Sequence, residues 1–383
     1  MMSGFIFQIP PRIVFGPGYV QKVGEEAKRF GSTAMVVTGR TATTRSGALD
    51  AVVASLEAAG LAVVKFAEVE SDPSVAIVEK GAALAREKGV DVLVALGGGS
   101  PMDAAKGMAI LMTNEGSIAK YEKEQPANAG APIIAVPTTA GTASEITRFT
   151  VITDPEARIK MLITFPGIIP RVAVLDPELT VSMPPAITAA TGMDALTHAM
   201  EAYISLRGNA LTAVQALEAI ELIGDNLVRA VMNGADMEAR QNMLLGQMLA
   251  GFAFSNASVA LVHSMSRPLG AHFGIPHGTA NAMLLPPVMA FNRPACTDKM
   301  ARVAMALGEP VEGLSLREAS LVAVEALDAL FMETGLPRRL SKFGVTESSI
   351  PALAKDALAS GSTANNPRVP TQDEIEGIYA SIL

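Results

Sequence analysis

Cysteine and histidine are both scarce in this chain of 383 residues: Cys296 stands alone, and there are four histidines. One thiol excludes an internal disulfide framework and suits a reducing compartment. Basic charge is also short, with 30 Lys and Arg against 38 Asp and Glu and a net charge of −8. Without a basic field, neither nucleic acid nor an anionic membrane surface is expected as a partner. No run of about twenty apolar residues exists, so a membrane span is not expected. Residues 1–11 lack both the basic flank and the apolar stretch of a signal peptide. The expected location is the cytoplasm. Apolar residues make up 49% of the chain, enough to fill a sizeable core, and the length suggests two domains.

The first half alternates short β-branched runs with amphipathic stretches. Ala34 to Thr38, Ala62 to Ala67, Val90 to Leu96, Pro132 to Val136 and Val172 to Asp176 read as strands. Gly47 to Ala59 and Ser74 to Lys88 carry apolar residues at helical spacing. This order predicts βαβ units and a parallel sheet. After Pro184-Pro185 the texture becomes long, alanine-rich helix. The expected fold is an α/β domain over 1–183 and an all-α domain over 184–383.

Two segments at strand ends carry chemistry. Val90 to Leu96 runs into Gly97-Gly98-Gly99-Ser100-Pro101-Met102-Asp103, a glycine turn feeding a helix. Ser100 is expected at the N-cap, Pro101 at the first helical position and Asp103 at the third. Free N–H groups and the helix dipole there suit an anion, with a pyrophosphate as the natural guest. The competing reading is a tight turn that needs only glycine flexibility. Pro137 to Glu145, dense in Thr and Ser, follows the next strand, and its hydroxyls suit a ribose or an amide.

The four histidines, His198, His263, His272 and His277, all fall in the helical half. Asp194 and His198 are four apart, so both lie on one helix face and suit one metal ion. His263 and His277 flank the Gly274-Ile275-Pro276 turn. Spacing does not decide which of the later histidines join them, and any one alone reads as an ordinary core or surface residue. An N/O donor set suits Zn²⁺ or Fe²⁺.

Together GGGSPMDAAKG, PTTAGTASE, TGMDALTHAMEAY and HSMSRPLGAHFGIPHG resemble the iron-containing (group III) alcohol dehydrogenases. The resemblance implies NAD(H)- or NADP(H)-dependent hydride transfer on a small alcohol or aldehyde, by a homodimer or larger homo-oligomer. It puts the metal ligands on Asp194, His198, His263 and His277, leaving His272 outside. It puts phosphate contacts on Gly97, Gly98, Gly99 and Ser100, with Asp103 beside them, and nicotinamide-side contacts on Thr138, Thr139, Thr142 and Lys160. The Ser71-Asp72-Pro73 turn would lie near the adenosine end. Glycerol dehydrogenases and dehydroquinate synthases, the latter lyases, share this plan and form the alternative. A non-catalytic metal- or nucleotide-binding protein is the remaining one.

Three departures from the family pattern stand out. Gly39-Arg40 replaces an aspartate that would hold the ribose 2′-hydroxyl, which favours use of NADP(H). Arg267 stands where diol- and lactaldehyde-type members carry a histidine, and a guanidinium cannot relay a proton. Arg267 is either a structural ion-pair partner or a contact for a polar or anionic substrate group. A proton route through His272 then becomes the alternative. Phe149, together with Phe254, is expected either to wall an apolar substrate pocket or simply to fill the core.

Overall fold

The computed structural model describes residues 4–157 and 159–383. Its strands are β1 (Ile13–Phe15), β2 (Thr33–Gly39), β3 (Ala62–Val69), β4 (Val92–Gly97), β5 (Ile133–Pro137), β6 (Phe149–Asp154), β7 (Ile159–Thr164) and β8 (Val172–Leu175). Six of them form one sheet in the order β1-β8-β5-β4-β2-β3, with every neighbouring pair parallel. β6 and β7 make a separate antiparallel ribbon.

Five helices accompany the sheet: α1 (Val23–Lys28), α2 (Ala42–Arg45), α3 (Ala48–Ala58), α4 (Val75–Glu87) and α5 (Gly99–Thr113). Side chains alternate across a strand, so β2 feeds two cores. Ala34 and Val36 join Val23, Val52 and Leu56 on one face. Met35 and Val37 join Val78, Ala82 and Met108 on the other. Burial on both faces is why these strands read as continuous apolar runs. β2 and β4 are neighbours, and the chain leaves β2 toward β3 but leaves β4 toward β5, in the opposite direction. That reversal is the topological switch point, where open α/β sheets bind ligands at the strands' carboxyl ends.

The rest is helical: α6 (Pro185–Ile204), α7 (Ala210–Met232), α8 (Met237–Ala257), α9 (Leu261–Phe273), α10 (His277–Asn292), α11 (Thr297–Ala306), α12 (Leu316–Glu333), α13 (Ile350–Ala359) and α14 (Gln372–Ser381). The chain divides into two compact units, Ile9–Ser182 and Met183–Leu383, the second taking in the segment that ends at Gln8. Gln8 joins the helical unit because its N–H donates to Asn256 Oδ1 (2.8 Å) and its carbonyl accepts from Asn256 Nδ2 (3.0 Å). Among the described residues, no single helix is long and apolar enough to cross a membrane.

Cys296 is buried, and that burial pushes its thiol from 9.0 up to about 11. Two pH units mean roughly 100-fold less thiolate near pH 8 than an unperturbed thiol offers. Iodoacetamide is therefore expected to label the native protein at least that much more slowly than the chain in denaturant. Comparable labelling of both states would contradict the placement of Cys296.

Candidate functional site

In the α/β unit, the carboxyl ends of β4 and β5 lie side by side, joined where Thr138 N–H donates to Gly97 O (3.0 Å). Gly97 has φ +139°, and a Cβ there would come within 2.8 Å of Pro101. A Cβ on Gly98 would meet Thr139 at 3.4 Å, and one on Gly99 would meet Thr142 at 3.3 Å. Glycine thus keeps open a cradle that any side chain would fill. The helix behind it begins two residues earlier than expected. Gly98, not Ser100, is the N-cap of α5, and no side chain caps it. The first N–H groups of α5 therefore lack an intrahelical or capping partner, which leaves them available to an anion.

Ser100 instead accepts from Asp72 N–H (3.2 Å), and Asp72 pairs with Lys160 at 2.9 Å. Asp72 and Lys160, expected at opposite ends of a cofactor, therefore occupy one place beside the cradle. Asp103 is used inside the protein, where its two oxygens accept from Ser144 Oγ (3.0 Å) and Val151 N–H (3.3 Å). Lys106 is fully buried and donates to Ser144 Oγ, Thr147 Oγ1 and Phe149 O. Burial raises Asp103 to about 6 and lowers Lys106 to about 8. These two residues brace the Thr-rich loop from behind. At the end of β2, Arg40 Nε donates to Glu68 O (3.3 Å), and its Nη2 lies 3.7 Å from Glu70. Phe149 is half-buried on β6 beneath the Arg148 guanidinium.

In the helical unit, Asp194 Oδ1, His263 Nε2 and His277 Nε2 converge, their ligand atoms lying within 4.8 Å of one another. Local sequence brings them together. Gly274, at φ +65°, ends α9, and Pro276 caps α10, so His277 becomes the first residue of α10. The next residue is Gly278, where a Cβ would sit 2.3 Å from Ala190 O on α6. Only glycine lets α10 start so close to the helix that carries Asp194.

His198 lies alongside rather than within that trio. Its ring stacks on His263 at 4.7 Å and on the buried Phe254 at 4.1 Å. His272 lies apart from them. It is nine residues beyond His263 on α9, about 13 Å of helical rise, and its Nε2 pairs with Asp356 Oδ2 at 2.8 Å. Arg267 Nη1 donates to Ser360 Oγ (3.0 Å) and Ser362 Oγ (3.2 Å).

Two further residues shape the centre. Glu201, fully buried, accepts from Ala260 N–H (2.8 Å) and Val262 N–H (2.5 Å) and meets His263 Nδ1 at 2.7 Å. A proton held on Nδ1 by this carboxylate leaves the Nε2 lone pair facing the trio. Asn281 Nδ2 sits at the focus, 2.7 Å from Asp194 Oδ1, 3.2 Å from His263 Nε2 and 3.1 Å from His277 Nε2.

Burial would raise the Asp194 carboxyl, but the imidazoles of His198, His277 and His263 hold it below the ordinary range. Burial, then His198 and His277, holds the His263 imidazole well below its ordinary value, so the ring stays neutral. Burial pushes Glu201 up to about 7, against the pull of its two backbone donors. An ionised Asp194 beside a neutral His263 is the protonation state a metal requires of these two ligands. The Asn281 amide has two hydrogens for three facing lone pairs, and its buried Oδ1 has no partner among the described residues. A cation at the focus would satisfy all three lone pairs. The donor set fits Fe²⁺ or Zn²⁺.

A glycine cradle at the switch point of a parallel sheet and a carboxylate–imidazole centre in a helical unit define a nucleotide-dependent metalloenzyme. Residues 10–177 match the iron-containing alcohol dehydrogenase family, and residues 188–383 match the C-terminal part of the Fe-containing alcohol dehydrogenase family. The chain belongs to that family. It is 42% identical over 378 residues to 1,3-propanediol dehydrogenase of Klebsiella pneumoniae, covering 98% of each chain. NAD-dependent methanol dehydrogenase of Bacillus methanolicus is 39% identical over 381 residues, covering 98% of this chain and 99% of that one. A solved structure of 1,3-propanediol oxidoreductase superposes with a TM-score of 0.97, at 40% identity and full coverage of both chains. The protein is thus an alcohol–aldehyde oxidoreductase for small substrates.

Proposed function

We propose that the enzyme interconverts a small primary alcohol and its aldehyde, with Asp194, His198, His263 and His277 holding Fe²⁺ or Zn²⁺. The convergence of Asp194, His263 and His277 on one point supports this most directly. When bound, such an ion supplies Lewis acidity to the substrate oxygen, while the nicotinamide gives or takes the hydride.

The chain's own residues bind, orient and hold protons. Gly97, Gly98, Gly99 and Ser100 receive the pyrophosphate at the open start of α5. Thr138, Thr139 and Thr142 orient the nicotinamide side, helped by Phe149 and braced by Asp103 and Lys106. Glu201 keeps the His263 proton on Nδ1. Phe254 packs on His198 and gives the centre an apolar wall. His272, held by Asp356, has no place in the proton path, and the half-exposed His277 leaves the centre open to water instead.

The reading is tested by stripping metal with a chelator, reloading Fe²⁺ or Zn²⁺, and assaying an alcohol and aldehyde panel with NADH and NADPH. Turnover that ignores the metal would overturn it.

Gly39, Arg40 and Asp72 flank the adenosine side in this reading, and both NADPH and NADH are accepted. The Arg40–Glu70 pair is long and exposed, worth no more than about 1 kcal/mol, so a 2′-phosphate can displace it. Arg40→Ala is expected to raise KM for NADPH about tenfold more than for NADH, through loss of a charge-assisted contact. Equal changes would remove Arg40 from the cofactor site. The same reading places the enzyme in the cytoplasm as a homodimer or larger homo-oligomer. The exposed Leu206, Leu211 and Val214 around the start of α7 offer apolar surface for such an assembly.

A further inference from the structure

Arg267 lies one helical turn beyond His263 on α9, so the two side chains share a face, with Cβ atoms about 5–6 Å apart. Its guanidinium forms no ion pair among the described residues, and its hydrogen bonds there engage only Nη1. Ser360 and Ser362 fix that nitrogen, which leaves the Nε–Nη2 edge free. That edge is the part of a guanidinium that takes a carboxylate through two parallel bonds. The residue is exposed, yet its charge acts on both His263 and Glu201. His277, whose ring lies 5.2 Å from that of His263, has a side chain that is half open to solvent, at 49%. A fixed cation thus stands one helical turn from His263, held in place by hydroxyls and with no direct ion-pair partner among the described residues.

We propose that Arg267, steadied by Ser360 and Ser362, is a subsite for an anionic group on the substrate. The favoured substrates are then aldehydes carrying a carboxylate or similar oxyanion a few bonds from the carbonyl, and the corresponding hydroxy acids. This rests on the dehydrogenase reading above and narrows its substrate class. A histidine in the same position would lose its charge near neutral pH, whereas arginine keeps it at every working pH. If Arg267 served only as a strap for the 360–362 turn, two hydrogen bonds would suffice and a neutral substrate would gain as much from them as an anionic one.

The test compares 4-oxobutanoate with butanal, equal in chain length, using metal-loaded wild type, Arg267→Gln and Arg267→Lys. Wild type is expected to prefer 4-oxobutanoate by at least about tenfold in kcat/KM, with a preference that shrinks as salt is added. Arg267→Gln should lower the ratio of the two kcat/KM values at least tenfold, mainly through KM for the anion. Arg267→Lys should retain part of it, because charge survives without the fork. An equal fall for both aldehydes in Arg267→Gln, or no wild-type preference, would overturn the subsite while leaving the dehydrogenase reading intact. Turnover of neither aldehyde would overturn both.

Discussion

Glu201→Gln is expected to weaken metal binding by about 10–100-fold, the usual cost of losing a carboxylate behind a ligating histidine. The reason is a count of donors. Ala260 N–H, Val262 N–H and His263 Nδ1–H all point at two carboxylate oxygens. Glutamine replaces one oxygen with an NH₂, and in either orientation that NH₂ faces a backbone N–H. In the orientation that meets His263 it must donate to Nδ1, which moves the ring proton to Nε2 and removes the lone pair the metal uses. A buried donor left unpaired adds about 1–3 kcal/mol of lost stability. Zinc competition against a chromophoric chelator measures the first effect, and thermal melting of the metal-free protein measures the second. Glu201→Asp keeps two acceptors and should recover part of both losses. Equal zinc affinity in wild type and Glu201→Gln would refute the tautomer argument.

The sequence held more of this centre than its histidine count revealed. Asp194, His198 and Glu201 stand at i, i+4 and i+7, one face of α6, so the spacing that marked the first two also marked the third. Its role is hidden in the sequence because its partners Ala260, Val262 and His263 lie 59 to 62 residues away. Strand–helix alternation was plain where both sheet faces are buried, as in β2 and β4. β1 was missed because three residues show no period. In β7 only Met161 and Ile163 point inward, a period of two that could have been read. The start of α5 was displaced because Ser-Pro is a strong local capping signal, and the chain uses Ser100 to hold Asp72 instead. His272 and Arg267 could not be placed from sequence, because their partners Asp356, Ser360 and Ser362 lie 84 to 95 residues away.

Asn281→Ala should separate the metal-free protein from the loaded one. In the metal-free state the Asn281 amide is the donor on which Asp194 Oδ1 and the two Nε2 atoms converge. Removing it leaves the buried Asp194 carboxylate and His263 Nε2, with the half-exposed His277 Nε2, facing one another, at a cost of about 1–3 kcal/mol, since one acceptor is charged. With zinc or iron in place the ion serves those same atoms, so the loaded variant loses far less. The rise in Tm on metal loading is therefore expected to be larger in Asn281→Ala than in wild type, although the variant melts lower without metal. By linkage the variant should also bind metal more tightly, because the ion no longer has to displace an amide already hydrogen-bonded at its position. Calorimetric melting with and without zinc, with chelator competition on the same samples, measures both sides of the cycle. An equal loss in the two states would show that Asn281 merely packs α10, and would remove its role as the occupant of the focus.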